Sequence, residues 1–401
     1  QNQYIHLSYL FYSIGRLFGL IGFLFLSILI ISGDTARFFD KFFGMDKIIK
    51  FQRKFAITTS VFVLTHPIFF MLANKSVFNF LLPNLTYIPL SIGIISFYVF
   101  IIVAISSKIY KRISYKLWQY IHILTYLLFF FVLYHAINLG SDYGLLSIKI
   151  IYWILFSFIS IGIIYRTWYK IKAGRLVFVV KEIKWETKDT YTIILTPNKK
   201  FHFKAGQFCF LRINKEKLYA RHPFTISSAP QEDTISFTVK LKGRFTKIAS
   251  GLKAGERVIV EGPFGIFDIE DKKKDLVFIS GGVGIAPFMS IIKDKLRSQN
   301  FQNVLLLCGA KTENDLIFKN EIDTVKETWF KKIYVLSDDS SYSGPCEKGY
   351  INKKIIEKYA ENAKNSLFYI CGPEPMKELC KKALFSLGVK KSDVFIESFF
   401  W

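Results

Sequence analysis

One apolar stretch, Leu117 to His135, carries two histidines, His122 and His135, and is long enough to cross a bilayer. Ionisable side chains are costly inside a membrane, so histidines there are functional candidates. The two stand thirteen residues apart, roughly 20 Å along a helix at about 1.5 Å per residue. That separation suits two cofactors stacked across the membrane. A third histidine, His66, lies in another apolar stretch, Phe55 to Ala73. Imidazole is the usual axial ligand of haem iron. Hydrogen bonding between helices is the alternative use of such side chains.

Hydrophobic residues make up 51% of the 401 and aromatic residues 17%, more than in an average soluble chain. The excess is confined to the first ~170 residues, so a membrane half precedes a soluble half. The net charge of +23 is dispersed and largely flanks apolar runs. It reports orientation, and nucleic acid is not an expected partner. All five cysteines (Cys209, Cys308, Cys346, Cys371, Cys380) lie in the soluble half, without a Cys-x-x-Cys. Neither a disulfide framework nor a zinc site is indicated, and a reducing, cytosolic face fits. The chain begins with Gln, so its natural N-terminus is expected to lie further upstream. Its first apolar run is too long for a signal peptide.

Five candidate spans cover about 10–31, 54–74, 87–106, 117–139 and 147–167. The loop 32–53 carries Arg37, Lys41, Lys47, Lys50 and Arg53, and 107–116 carries Lys108, Lys111, Arg112 and Lys116. Arg166, Lys170, Lys172 and Arg175 follow the last span, whereas the alternate loops hold only Lys75. The positive-inside rule then places the basic segments and the soluble half in the cytoplasm. The second and fourth spans run in parallel. His66 lies nine residues before Lys75 and His135 seven before Asp142. These matched depths suit a pair clamping one haem near the outer face, with His122 near the inner face. Thirteen residues leave two helical side chains roughly 140° apart, so a shared face for His122 and His135 needs a kink or π-bulge.

From Arg175 short alternating strands separated by turns read as a small antiparallel barrel. From Asp275 strands alternate with helices, as in a parallel α/β domain. The first turn there is Gly281-Gly282-Val283-Gly284-Ile285-Ala286-Pro287. Glycines between a strand and a helix let backbone approach a pyrophosphate. The turn departs from the Gly-x-Gly-x-x-Gly fingerprint, so an ordinary Rossmann dehydrogenase is not the match. Cys371-Gly372-Pro373-Glu374-Pro375-Met376 follows a later strand, where α/β ligands bind. In the barrel, Arg221-His222-Pro223-Phe224-Thr225-Ile226-Ser227-Ser228 offers an arginine for a phosphate. Thr225, Ser227 and Ser228 supply donors for a polar ring edge. Lys242-Gly243-Arg244-Phe245-Thr246 opens a short helix and is another phosphate seat.

These motifs, in this order, resemble the NADPH oxidase / ferric reductase family of transmembrane flavocytochromes over nearly the whole chain. The resemblance implies a multi-domain fold: an all-α transmembrane bundle, then a ferredoxin-reductase-like module. That module comprises an antiparallel β-barrel FAD domain and an α/β parallel-sheet NAD(P) domain. The expected boundaries are 1–172, 173–270 and 271–401. His222-Pro223-Phe224-Thr225 is similar to the family's FAD motif. The 281–288 and 371–376 segments are similar to its pyridine-nucleotide motifs. A C-terminal aromatic over the flavin implies that role for Trp401, with Phe400 beside it and Cys371 as a further catalytic candidate. The family uses four histidines as ligands of two haems b. Here the expected fourth position, fourteen before His66, is Gln52, a poor ligand. Either the inner haem is then held by His122 alone, or another residue completes it, or the position has been altered. The family usually has six spans, so the first is absent from this chain or removed.

The implied activity is transfer of electrons from cytosolic NAD(P)H through FAD and haem to an acceptor outside. O2, giving superoxide, is the expected acceptor, with a ferric chelate as the alternative. A non-catalytic channel or transporter with a nucleotide-sensing domain leaves the paired flavin and nicotinamide motifs unexplained. Lys311, in Cys308-Gly309-Ala310-Lys311-Thr312, stands where an acid usually grips the NAD ribose. It favours NADPH, with NADH possible. The setting is a bacterial-type plasma membrane, with no obligatory protein partner evident.

Overall fold

A nearly uniform apolar sequence in a bilayer must satisfy its backbone internally, which leaves the helix as the solution for the first 170 or so residues. The computed structural model describes residues 2–84, 86–110, 112–173, 176–213, 220–267, 269, 274–298, 302–338 and 346–397. Its helices begin with α1 (Asn2–Asp34), α2 (Ala36–Phe43), α3 (Met45–Asn74), α4 (Phe78–Leu81), α5 (Ile88–Lys108), α6 (Tyr115–Leu139) and α7 (Leu146–Ala173). Helices α1, α3, α5, α6 and α7 are each long and apolar enough to cross a membrane. The chain divides into two compact units, Gln1–Ile171 and Lys172–Trp401.

Small residues set the packing of the first unit. Gly15, Gly19 and Gly22 form a stripe on α1, and α1 packs along α3 while α5 packs along α6. A Cβ on Gly22 would lie 3.3 Å from a Val63 methyl, the close approach that small residues permit between membrane helices. Phe23, Leu128, Phe129 and Ile159 form the centre, with Phe23 stacked on Phe129 at 5.7 Å. Ile57, Ile161 and Ile164 point outward and are exposed, as lipid contact requires. The basic segment 32–53, expected as a loop, is largely helical: it forms α2 and the first turns of α3. Asp46 in the first turn of α3, paired with Lys50 at 3.8 Å, favours that extension.

The second unit starts with six strands: β1 (Val177–Thr187), β2 (Thr190–Pro197), β3 (Phe208–Ile213), β4 (His222–Thr225), β5 (Ile235–Lys240) and β6 (Arg257–Phe264). They pair antiparallel in the order β4-β3-β6-β1-β2-β5. A bridge between Ile226 and Phe237 joins the two ends and closes a barrel. Helix α8 (Arg244–Ala249) packs Phe245 and Ala249 into its core.

The remaining strands are β7 (Asp275–Gly281), β8 (Val304–Ala310), β9 (Phe330–Leu336), β10 (Cys346–Lys348), β11 (Ser366–Cys371) and β12 (Val394–Ile396). All pair in parallel, in the order β10-β9-β8-β7-β11-β12. Helices α9 (Ala286–Ser298), α10 (Lys319–Thr324), α11 (Lys353–Tyr359) and α12 (Glu374–Ser386) complete the α/β layers. The order reverses between β7 and β11, the switch point where such sheets bind ligands. Ser290 Oγ of α9 donates to Ser228 O of the barrel at 2.6 Å, and Glu321 of α10 receives both Lys184 and Lys293. These contacts fix the barrel against the parallel sheet.

Candidate functional site

His66 on α3 and His135 on α6 face each other, with ring centroids 6.5 Å apart and planes at 90°. Each ring is oriented by a backbone carbonyl: His66 Nδ1 bonds Gly15 O at 2.8 Å, and His135 Nδ1 bonds Pro89 O at 2.9 Å. A carbonyl only accepts, so both Nδ1 atoms carry the proton and both Nε2 atoms keep a lone pair. This is the outer-shell arrangement that prepares imidazoles for metal binding. With metal–imidazole bonds of about 2 Å, two imidazoles on opposite sides of one metal have centroids about 6 Å apart. Two glycines make room for the rings. A Cβ on Gly19 would stand 2.6 Å from His66 Cε1, and one on Gly93 would clash with His135 Nδ1 and Cε1. A cavity of about 400 Å³ surrounds the pair, lined among others by Arg16, Gly19, Gly93 and Asp142. Arg16 is ion-paired with Asp142 at its rim.

His122 is built differently. Helix α6 is an uninterrupted α-helix, so without a kink or bulge His122 and His135 point in directions roughly 140° apart. His122 stacks on Trp118 at 4.9 Å. Its Nδ1 and the Trp118 Nε1 are buried without a hydrogen-bond partner among the described residues. No carbonyl therefore fixes this ring as a ligand. Gln52 donates to Ser32 Oγ of α1 at 3.3 Å. Nearby, Asp34, Tyr126 and Arg166 form a polar network across α1, α6 and α7. Among the described residues, the His122 end of the bundle thus lacks an oriented imidazole pair like that of His66 and His135.

In the barrel, His222 stacks against Phe245 at 4.1 Å, and burial holds its imidazole below its ordinary range. Pro223 and Phe224 continue β4, and the Thr225 hydroxyl is buried without a partner among the described residues, a need that a polar ring edge would meet. Arg221 is already engaged: its Nη1 donates to Glu261 at 2.6 Å, and the guanidinium lies 4.4 Å from the Phe210 ring centre. The Ser227 and Ser228 hydroxyls, expected as donors, are fully buried and act as acceptors, which leaves each its proton to donate. Ser227 Oγ accepts from Thr238, and Ser228 Oγ accepts from Ser236 N, both in the barrel interior. Lys242 and Gly243 are exposed at the start of α8, where their backbone N–H groups donate to Thr246 Oγ1 at 2.9 and 3.1 Å.

The two glycine-rich turns of the α/β sheet meet at the switch point. Gly281 ends β7, and a Cβ there would lie 2.8 Å from Met376 Sδ and 3.0 Å from Pro373 Cδ. Gly282 has φ +54°, a left-handed conformation suited to glycine. Val283 and Gly284 lead into α9 through Ala286 and Pro287. A Cβ on Gly284 would overlap the Cys371 carbonyl and approach Gly372 N to 2.8 Å. Cys371 is 1% exposed, and burial pushes its thiol well up, so it stays protonated. Glu374 pairs with the buried Lys377 at 2.7 Å. Lys311 is exposed after β8, and the nearby acid Asp315 is used to cap Thr312. Phe400 and Trp401 lie outside the described residues. Changing Gly284 to Ala should cost about 1–3 kcal/mol by overpacking. A raised KM for NADPH with unchanged FAD content is the expected result, and an unchanged KM would remove this turn from the nucleotide site.

Residues 18–133 match the family described as ferric reductase like transmembrane component. Residues 173–268 match an FAD-binding domain, and 278–382 match an oxidoreductase NAD-binding domain. The chain has the NADPH oxidase/ferric reductase-like architecture. It carries flavin- and nicotinamide-binding oxidoreductase domains behind a ferric-reductase-like membrane component. The electron transfer component of xylene/toluene monooxygenase from Pseudomonas putida is 28% identical over 219 residues, covering 53% of this chain and 62% of that protein. The flavohemoprotein of Oceanobacillus iheyensis is 24% identical over 236 residues, covering 55% and 58%. The chain thus spans under two thirds of both relatives. Among solved structures, the flavohem-like FAD/NAD-binding domain of nitric oxide dioxygenase from Vibrio cholerae superposes with a TM-score of 0.51. It is 22% identical and covers 56% of this chain and 98% of that one. The ferredoxin reductase of carbazole 1,9a-dioxygenase gives 0.51 at 21% identity, covering 56% and 69%. Both likenesses concern the fold.

Gly15, Gly19, Gly93 and Pro89 escaped the sequence reading. Their contribution is a carbonyl or an empty volume, and neither leaves a polar signature in an apolar helix.

Proposed function

We propose that this chain moves electrons from NAD(P)H through FAD to a haem b between His66 and His135, and on to O2 on the far side of the membrane, giving superoxide. The observation that carries this reading is the opposed imidazole pair, each with its Nδ1 committed to a carbonyl. When bound, flavin and haem supply the conversion of a hydride into single electrons and their passage onward. The protein's own residues hold and orient. His66 and His135 offer Nε2 lone pairs, and Gly19 and Gly93 leave their rings room. Thr225 would offer its buried hydroxyl to the flavin ring, and Arg221, oriented by Glu261, would reach its phosphates together with Lys242 at the start of α8. The turns 281–287 and 371–376 seat NAD(P)H, with Cys371 shaping the strand end as a neutral thiol.

The positive-inside pattern of the loops supports a cytoplasmic position for the flavin and nucleotide domains and an outward position for the His66–His135 pair. O2 is favoured as acceptor because Asp142, the acid of outer loop 140–146, is held by Arg16 rather than offered to a metal chelate. The second reading, ferric-chelate reduction, is favoured by the description of the membrane match. NADPH turnover with superoxide detection, run beside ferric-citrate reduction, tests the choice. Ferric citrate reduced faster than superoxide forms would reverse it.

Nucleotide choice rests on Lys311 as a point charge for the 2′-phosphate. Lys311→Gln should raise KM for NADPH about fivefold, equivalent to about 1 kcal/mol, with KM for NADH unchanged. Equal changes for both nucleotides would assign Lys311 a general electrostatic part.

A further inference from the structure

Helix α2 stands between two membrane-crossing helices and exposes four phenylalanines: Phe38 by 48%, Phe39 by 39%, Phe42 by 60% and Phe43 by 57%. Helical spacing gathers them within about 140° of arc. The opposite side belongs to the bundle: Asp40 is buried, and its Oδ1 accepts from Met45 N at 2.6 Å. The third side is basic. The Arg37 guanidinium lies 4.7 Å from the Tyr169 ring of α7, and Lys41 Nζ lies 4.7 and 4.8 Å from the rings of Phe38 and Phe42. Lys47, Lys50, Arg53 and Lys54 lie on the first turns of α3 and are exposed, with Asp46 the local acid.

An exposed aromatic face beside clustered cations is the composition of a helix lying on a membrane surface. Lys41 is exposed and holds its ammonium against the Phe38 and Phe42 rings, beside the apolar face, where headgroups are within its reach. Only Thr35 and Gly44 separate α2 from the membrane-crossing helices α1 and α3, so α2 stands where those helices meet the membrane surface. Basic segments beside a span attract anionic lipid.

We propose that α2 is an in-plane anchor. Its phenylalanines sink into the boundary between headgroups and acyl chains. Lys41, Lys47, Lys50, Arg53 and Lys54 bind the phosphates of anionic phospholipids in that leaflet. The inference rests on the membrane reading of α1 and α3 and is independent of which acceptor or haem the chain uses.

The test uses the full chain in nanodiscs of phosphatidylcholine with or without phosphatidylglycerol. A spin label is placed by Phe42→Cys in a Cys346→Ser background, the other four cysteines being buried. With phosphatidylglycerol, oxygen should collide with the label at least about threefold more often than a water-soluble nickel complex, as for a site below the headgroups. Lys41→Gln with Lys47→Gln should lower the phosphatidylglycerol retained on purification. Nickel collisions matching those of a label at Lys382→Cys, on exposed α12, would overturn the proposal. Shielding from both collision partners would overturn it too, since α2 would then dock on protein. Unchanged phosphatidylglycerol retention would overturn its anionic part. A label at Ile161→Cys on α7 is the control: water access there would instead sink the membrane reading itself.

Discussion

Replacing His135 with Ala should remove most of the Soret absorbance of the purified protein while leaving FAD content and helicity at parent values. The ring does three things that alanine cannot. It offers an Nε2 lone pair across 6.5 Å from His66, fills the space that Gly93 leaves open, and ties α6 to α5 through Pro89 O. Losing even an outer-shell partner of a metal-bound histidine weakens binding about 10–100-fold, so loss of the ligand itself should leave well under half of the haem. The size of the loss discriminates. Near-complete loss means one haem, held by this pair. A loss of half means a second haem elsewhere, with His122 as the remaining anchor. An unchanged Soret band would refute the pair outright. His122→Ala is the matched control, expected to leave the band nearly intact because no carbonyl orients that ring. Added imidazole should partly restore the band in His135→Ala, by occupying the vacated space, and should do nothing for a protein that has misfolded.

The pair was legible in the sequence because three signals coincide: a histidine in an apolar run, the alternation of basic and bare loops, and equal depth from the bare side. What was not legible is the support. Gly15, Gly19, Pro89 and Gly93 act on histidines 51, 47, 46 and 42 residues away in sequence, through helix packing that no periodicity encodes. The same limit appears in the soluble unit. Arg221 has a free-phosphate look in sequence, but Glu261 on β6 holds it. Ser227 and Ser228 read as ligand donors because they follow the flavin motif, and the closing of the barrel buries them as acceptors for Thr238 and Ser236, an engagement that no local pattern announces. Strand β10 is a three-residue edge strand, too short for any alternation to register. Helix α2 was hidden because four phenylalanines broken by Asp40 and Lys41 look like a polar loop until wound at 3.6 residues per turn.

On the proposed reading Gln52 keeps this chain from a two-haem relay, and replacing it with His should have the second largest effect. Fourteen residues below His66 on α3 is about 21 Å of rise and about 40° of rotation. Gln52 thus stands almost directly beneath the outer ligand, at the depth where His122 lies on α6. Its amide is spent on Ser32, and a neutral amide oxygen is a weak donor to iron beside an imidazole nitrogen. His122 in turn has no carbonyl on its Nδ1 among the described residues and rests on Trp118. Three polar atoms of this half, Asp34 Oδ2, Trp118 Nε1 and His122 Nδ1, are buried without a partner among the described residues, a combination that destabilises an empty packing. Installing an imidazole at 52 supplies the missing ligand where the surroundings are least satisfied. Gln52→His should therefore raise haem content from about one toward two per chain. It should also speed reduction by NADPH of the haem held by His66 and His135 more than tenfold, equivalent to over about 1.4 kcal/mol of barrier. Electron paramagnetic resonance reads the outcome independently of rate. A second low-spin, bis-imidazole signal appearing only in the variant supports the assignment. The same two signals in the parent protein would mean that another side chain already completes the inner site, and that Gln52 does not limit it.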